Sequence, residues 1–222
     1  MRRFLRENGL SLVLICVFFV PFFVGQTLAG HRENNNDRQE HGQSPLSLTE
    51  YLRDPHFWEA SAENWESEFL QMFFYVVLTA FLFQKGSSES KKLDEPNEVD
   101  RDPRQSHNKK DSPWPVRKGG FILRLYENSL SLAFLLLFLV SFFIHAVGGR
   151  GEYNQEQALH GQSPLSLGEF ITSSRFWFES FQNWQSEFLA IWAMVVFSIW
   201  LRQRASPESK PVDSPHRETG SG

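Results

Sequence analysis

The chain has 222 residues, a formal net charge of −4 and a single cysteine. The slightly acidic balance argues against the basic surface that nucleic-acid-binding proteins use, and one cysteine excludes an internal disulfide and a cysteine-based metal motif. Phenylalanine occurs 22 times and is concentrated, with the other apolar residues, in blocks separated by polar segments. The order of these blocks is therefore more informative than the average composition.

The first apolar block covers residues 10–29 and contains no charged residue. It is long enough to cross a bilayer core as a helix, and a membrane helix tolerates the kink that Pro21 predicts. A signal peptide is the alternative, because Thr27-Leu28-Ala29 resembles a cleavage site. The block exceeds the usual signal core of about 7–15 residues, and a similar block recurs in mid-chain. These two features favour a membrane span.

A polar segment, residues 30–40, follows and is predicted to be a loop. Residues 41–48 then read HGQSPLSL. Ser47 and Glu50 have the spacing of a capping box, which predicts the start of a short helix. An apolar face on a short helix beside a span is typical of helices that lie in the membrane interface. The same string recurs at residues 160–167, where Ser166 and Glu169 repeat the capping box.

Three further apolar blocks predict spans at residues 65–83, 130–147 and 184–201. Residues 93–120 are rich in Ser, Asp, Lys and Pro and are predicted to be a disordered linker, since they offer too little apolar surface to fold. Residues 205–222 are predicted to be a disordered tail for the same reason.

An internal repeat relates the two halves of the chain. When residues 41–91 are aligned with residues 160–210 without a gap, 26 of the 51 pairs are identical. The repeat predicts two tandem units, residues 1–92 and 121–204, each made of a span, a polar loop, a capped helix and a second span. The expected fold is an all-α integral membrane protein with four transmembrane helices, built as two tandem two-helix repeats with short extracytoplasmic interfacial helices.

The distribution of Lys and Arg predicts the topology. Three lie before the first span and ten between the second and third, whereas the two polar loops hold three and two. The positive-inside rule then places both termini and the linker in the cytoplasm and both HGQSPLSL segments outside. The two repeats would have the same orientation, as in parallel repeats of transporters.

The strings HGQSPLSLGEF and NWQSEF, with a Phe-Trp pair between them, identify a resemblance. They resemble a family of uncharacterised bacterial multi-span membrane proteins, classed as a domain of unknown function. The resemblance implies a multi-pass protein of the bacterial inner or plasma membrane. It implies no activity, substrate or catalytic residue.

Polar residues that occur in both repeats form a candidate shared site: His41, Gln43, Asn64, Glu68, His160, Gln162, Asn183 and Glu187. The two histidines with Glu50 and Glu169 could hold a metal ion, and Glu68 and Glu187 could form an acidic ring at the mouth of a cation path. The structural alternative is that Ser47, Glu50, Ser166 and Glu169 only cap helices, and that Glu68 and Glu187 are stabilised by helix dipoles.

The sequence assigns no role to the other ionisable residues. Glu59, Glu63 and Glu66 lack full counterparts in the second repeat and are predicted to form a solvated face. His145 has no histidine counterpart in the first repeat. No nucleophile-and-base arrangement and no phosphate-binding loop is present, so we expect no catalytic residue, cofactor or metal motif.

The sequence therefore favours a membrane protein of unknown activity with a structural or interaction role. Its expected partners are the lipid bilayer and either a second copy or another membrane protein, and not nucleic acid. An oligomeric channel or small transporter is the alternative. A metal-binding or lipid-modifying membrane protein is the third possibility.

Overall fold

A computed structural model describes residues 2–220, and over these residues the chain is helical without a strand. The predicted all-α class is confirmed. The first half contains α1 (Arg2–Val20), a π-helical segment (Pro21–Ala29), α2 (Gly30–Glu40), α3 (Leu48–Tyr51) and α4 (Pro55–Phe81).

The second half begins after two short 3₁₀ turns, Glu98–Asp100 and Pro103–Ser106, in the segment that was predicted to be disordered. It contains α5 (Trp114–Lys118), α6 (Gly120–Glu127), α7 (Ser129–Leu159), α8 (Leu167–Ile171) and α9 (Ser174–Phe197).

Two helices run further than the sequence predicted. The first is continuous over Arg3–Glu40 and the other is α7, so the polar segments that were predicted to be loops are helical extensions of the apolar blocks. The prediction failed because polarity does not break a helix whose side chains face water. Pro21 begins the π-helical segment, where its missing N–H is accommodated by a change in hydrogen-bond register.

Among the described residues, these two helices are long and apolar enough to cross a membrane. The other predicted spans lie on α4 and α9. These helices end at Phe81 and Phe197, before the ends predicted for the corresponding spans.

The chain divides into two compact units. The first unit comprises residues 1–64 and 141–179, and the second comprises residues 65–140 and 180–222. The helices α4, α7 and α9 each contribute to both units.

Both HGQSPLSL segments lie in the first unit, where each ends one helix and starts the next. Gly42 and Gly161 adopt φ of 71° and 66°. The next residues donate backbone hydrogen bonds backwards, Gln43 to Arg38 O at 2.7 Å and Gln162 to Gln157 O at 2.9 Å. This is the Schellman arrangement, which satisfies the last carbonyls of a helix and favours glycine at the left-handed position.

The second part of each segment starts a helix as predicted. The hydroxyls of Ser47 and Ser166 accept from the backbone N–H of Glu50 and Glu169, whose carboxylates accept from the backbone N–H of the same serines. Both capping boxes are therefore confirmed.

One asparagine in each half holds the segment against the helix that precedes it. Asn35 accepts from Leu46 N at 2.7 Å and donates to Leu46 O at 2.9 Å. Asn154 makes the same two bonds to Leu165, at 2.8 and 3.0 Å. Because each side chain satisfies both backbone groups of one residue, it fixes the position of the connection.

Aromatic side chains fill the space beneath each connection. Tyr51 and Phe57 pack edge to face with ring centroids 5.6 Å apart, and Phe170 and Phe176 do the same at 5.6 Å. All four are buried. The short helices α3 and α8 were predicted to lie in the membrane interface with an apolar face, and of that face Tyr51 and Phe170 are buried in the protein.

The second unit is held by polar and aromatic contacts between α4 and α9. The indole N–H of Trp184 donates to a Glu66 carboxylate oxygen at 2.9 Å, and the Gln71 side chain donates to Glu187 O at 2.9 Å. Glu66 is completely buried. The prediction that it belongs to a solvated face is wrong, because Glu66 is buried and the half-buried indole of Trp184 on the other helix donates a hydrogen bond to it.

We expect Asn154→Ala to destabilise the folded protein by about 1–3 kcal/mol, because it leaves a backbone N–H and a C=O of Leu165 without their partner. Thermal unfolding of the detergent-purified protein measures the change. The neighbouring exposed Gln155→Ala is the control and should have little effect. Equal losses in the two variants would contradict a structural role for the asparagine.

Candidate functional site

Glycines on α7 allow the start of α4 to approach its backbone. A Cβ at Gly148 would lie 2.7 Å from Glu59 N, and one at Gly151 would lie 2.7 Å from Pro55 Cβ. A Cβ at Gly149 would lie 3.0 Å from the Phe170 ring. Small residues permit such close helix contacts, and this contact brings Glu59 next to the side chains of α7.

Glu59 meets His145 of α7 and Glu179 of α9 inside the first unit. One ligand-type atom from each of the three side chains lies within 4.8 Å of the other two. His145 is completely buried, and its Nε2 lies 3.6 Å from Glu179 Oε2. We call these three residues the Glu–His–Glu cluster.

The residues around this cluster restrict its side chains. The His145 ring stacks on Phe176 with centroids 4.8 Å apart. Arg175 donates from Nε to Glu179 Oε1 at 2.8 Å and from a terminal nitrogen to Glu156 at 2.7 Å. Burial opposes ionisation of Glu179, but the nearby His145 imidazole and the hydrogen bond from Arg175 outweigh it and lower the pKa of this carboxyl.

The surroundings of Glu59 have the opposite effect and raise the pKa of its carboxyl. Burial, followed by the charges of Glu152 and Glu63, raises its pKa to about 9. Its side chain is also hydrogen-bonded to Glu152. Two carboxyl groups can share a hydrogen bond only when one of them holds a proton, so the surroundings of Glu59 favour its protonated form.

An open cleft of about 410 Å³ lies on the same unit. Glu152 and Glu156 line it, so the residues that contact the cluster also border the cleft. The remaining lining residues are mostly polar or charged: Glu33, Asn34, Asp37, Arg38, His41, Gln43, His56, Gln155, Leu159 and His160. Acidic residues outnumber the single arginine, so the cleft favours cations.

Three of the residues predicted for a shared site, His41, Gln43 and His160, line this cleft. Each histidine also has a structural contact, because its Nδ1 lies 2.9 Å from a carbonyl in the last turn of its helix, Asp37 O or Glu156 O. Gln162 takes part in the helix-ending turn.

The other predicted residues lie elsewhere. Asn64 belongs to the first unit and donates to Ala60 O at 2.7 Å. Glu68, Asn183 and Glu187 belong to the second unit. Glu68 is exposed, and the backbone of Glu187 accepts from Gln71.

Sequence reasoning missed the Glu–His–Glu cluster because it searched for polar residues common to both repeats. In the repeat alignment Glu59 corresponds to Phe178 and Glu179 to Ala60. Within the part of the chain that the structure describes, the cluster therefore occurs once, at positions where the repeats differ. The assignment of Glu59 to a solvated face is wrong, since it is half-buried against α7.

Comparison with known proteins identifies the family to which the chain belongs. The model of the family described as Domain of unknown function (DUF6766) matches residues 1–221. No curated protein matches the chain, and no solved structure does. This match confirms the predicted resemblance to an uncharacterised family.

We expect Gly148→Ala to destabilise the protein by about 1–3 kcal/mol, because the added methyl group would collide with the backbone of Glu59 and force the helices apart. Thermal unfolding in detergent measures the effect. Gly9→Ala in α1 is the matched control. Nothing lies within 4 Å of its added Cβ, so it should be neutral or stabilise the helix by up to about 1 kcal/mol. A Gly148→Ala variant as stable as Gly9→Ala would show that the close contact is not required.

Proposed function

Since the chain belongs to the DUF6766 family, whose description states no function, we propose one from its own residues. The protein is an integral membrane protein that crosses a bacterial inner or plasma membrane four times, with both termini in the cytoplasm. It has a structural or interaction role, and the first unit presents its contact surface outside the membrane.

The exposure of the two long apolar helices carries this proposal. In their most apolar stretches, 6% of the residues of Arg3–Glu40 and 17% of those of Ser129–Leu159 are buried. The core helix of a water-soluble protein would be mostly buried, because exposed apolar surface on this scale is unfavourable in water. A signal sequence would account for the first helix but not for one that begins at Ser129. If lipid surrounds both helices, the exposure of their apolar side chains is accounted for.

The packing of the first unit supports an interaction role. Helix caps, asparagine hydrogen bonds and buried aromatic rings hold its connections in place, so the cleft is bordered by a preorganised scaffold. Preorganisation favours binding because less conformational entropy is lost. The lining is polar and acidic, which favours partners that carry basic groups or cations.

The channel alternative has less support from the positions of polar residues. The Glu–His–Glu cluster includes His145 of α7, and residues 130–144 of the same helix contain no ionisable side chain. Ion routes through membranes are usually marked by such residues. The polar cluster therefore resembles a binding site more than one end of a continuous path.

The topology predicts the labelling of single cysteines in a Cys16→Ser background. Thr49→Cys and Gly168→Cys are exposed positions beside the two capping boxes, and Asn108→Cys is an exposed position in the linker. In intact spheroplasts, a membrane-impermeant maleimide should label the first two and should reach the third only after permeabilisation. Labelling of all three from one side would overturn the topology, and opposite results for Thr49 and Gly168 would overturn the parallel orientation.

The interaction role predicts a partner at the cleft. A photo-crosslinking amino acid at Gln155, an exposed lining residue, should give a discrete adduct in intact cells. The same amino acid at Thr172, which is exposed but does not line the cleft, is the control. Co-expression of a second, differently tagged copy separates self-association from another protein. If Gln155 and Thr172 give the same adducts, the cleft is not the contact surface.

A further inference from the structure

We propose that Glu59, His145 and Glu179 bind one divalent transition-metal ion, of the type of Zn²⁺ or Mn²⁺. The inference does not depend on the membrane topology or on the interaction role, because it concerns three side chains within one compact unit. It differs from the metal site considered from sequence, which used the histidines of the repeated HGQSPLSL segments.

The donor atoms carry the proposal. Two atoms that each lie about 2.1 Å from a tetrahedral ion are about 3.4 Å apart. The His145 and Glu179 atoms are 3.6 Å apart, and the whole set of donors lies within 4.8 Å. Small rotations of the Glu59 side chain would therefore complete a three-donor site. One imidazole and two carboxylates suit Zn²⁺, Mn²⁺ or Fe²⁺ better than soft ions.

The surrounding contacts are those expected of a metal site. Metal ligands are usually held in place by a second set of hydrogen bonds. Arg175 holds Oε1 of Glu179 and leaves Oε2 on the side of His145. The Phe176 ring fixes the plane of the imidazole, and the glycine face of α7 fixes the backbone of Glu59.

The local charge also favours a cation. The carboxyl groups of Glu63, Glu152 and Glu179 all act on Glu59 in this region, and Arg175 pairs with Glu179. A divalent ion would compensate the remaining negative charge. The acidic cleft bordered by Glu152 and Glu156 provides a route by which a hydrated cation could approach.

Divergence between the repeats points to two of these three residues. Positions that agree between the repeats, such as Ser47 and Ser166, have the structural roles described above. Glu59 and Glu179 are acidic only in one repeat each, opposite Phe178 and Ala60. The chain thus forms one such cluster rather than two, and the expected stoichiometry is one ion per chain.

Metal binding by the full chain tests the proposal. The detergent-purified protein is stripped with a chelator and titrated with Zn²⁺ and, separately, Mn²⁺, and bound metal is measured by elemental analysis and calorimetry. Co²⁺ substitution gives a visible spectrum that reports the donor set. We expect about one ion per chain for at least one metal, and a loss of at least tenfold in affinity for His145→Gln and Glu179→Gln.

Two further variants keep the test decisive. Glu59→Gln retains the shape and hydrogen-bond donor of the protonated side chain, so it should stay folded while losing the metal. His160→Gln removes a histidine of the cleft and should bind as the unaltered protein does. The proposal is overturned by absence of binding for both metals, by unchanged binding in folded Glu59→Gln, or by loss of the stoichiometric ion in His160→Gln alone.

Discussion

The close approach of α4 to the glycine face of α7 is the constraint on which the first unit depends. Without side chains at Gly148 and Gly151, the backbone of Glu59 and the ring of Pro55 can lie directly against α7. This contact places a carboxyl group beside a buried imidazole, and Phe170 packs against Gly149 on the same helix. A single methyl group at this contact would thus affect both the packing of the aromatic core and the geometry of the Glu–His–Glu cluster.

The repeated HGQSPLSL segment has a structural explanation at both of its ends. Its histidine and glycine end one helix, and its serine begins the next with a capping box. One asparagine per repeat then fixes the connection to the preceding helix. These interactions are local, so both copies need the same residues. The Glu–His–Glu cluster instead occurs where the copies differ, because Glu59 and Glu179 stand opposite Phe178 and Ala60 in the alignment of the repeats.

Much of the fold could be predicted from the sequence, because it depends on interactions between residues that are close together along the chain. The capping boxes and the helical apolar blocks follow from residue spacing alone. The polar helix α2 and the polar end of α7 were predicted to be loops. Composition distinguishes segments that face water from segments that face an apolar environment, but it does not distinguish a helix from a coil. The Glu–His–Glu cluster could not be predicted, because its members come from three helices far apart in sequence and no motif links them. Glu59 looked solvated for the same reason, since its burial depends on glycines of another helix.

The sequence by itself determined the all-α class, the two capped helix starts at Ser47 and Ser166, and two long apolar segments whose length and composition suit a bilayer. These features depend on hydrogen bonds and apolar periodicity within a few turns of chain. Only the tertiary structure decided that Tyr51 and Phe170 turn inward, that Glu66 is buried beside Trp184, and that Glu59, His145 and Glu179 meet. Each of these depends on the distance between helix backbones, and that distance is set by packing of residues that are remote along the chain.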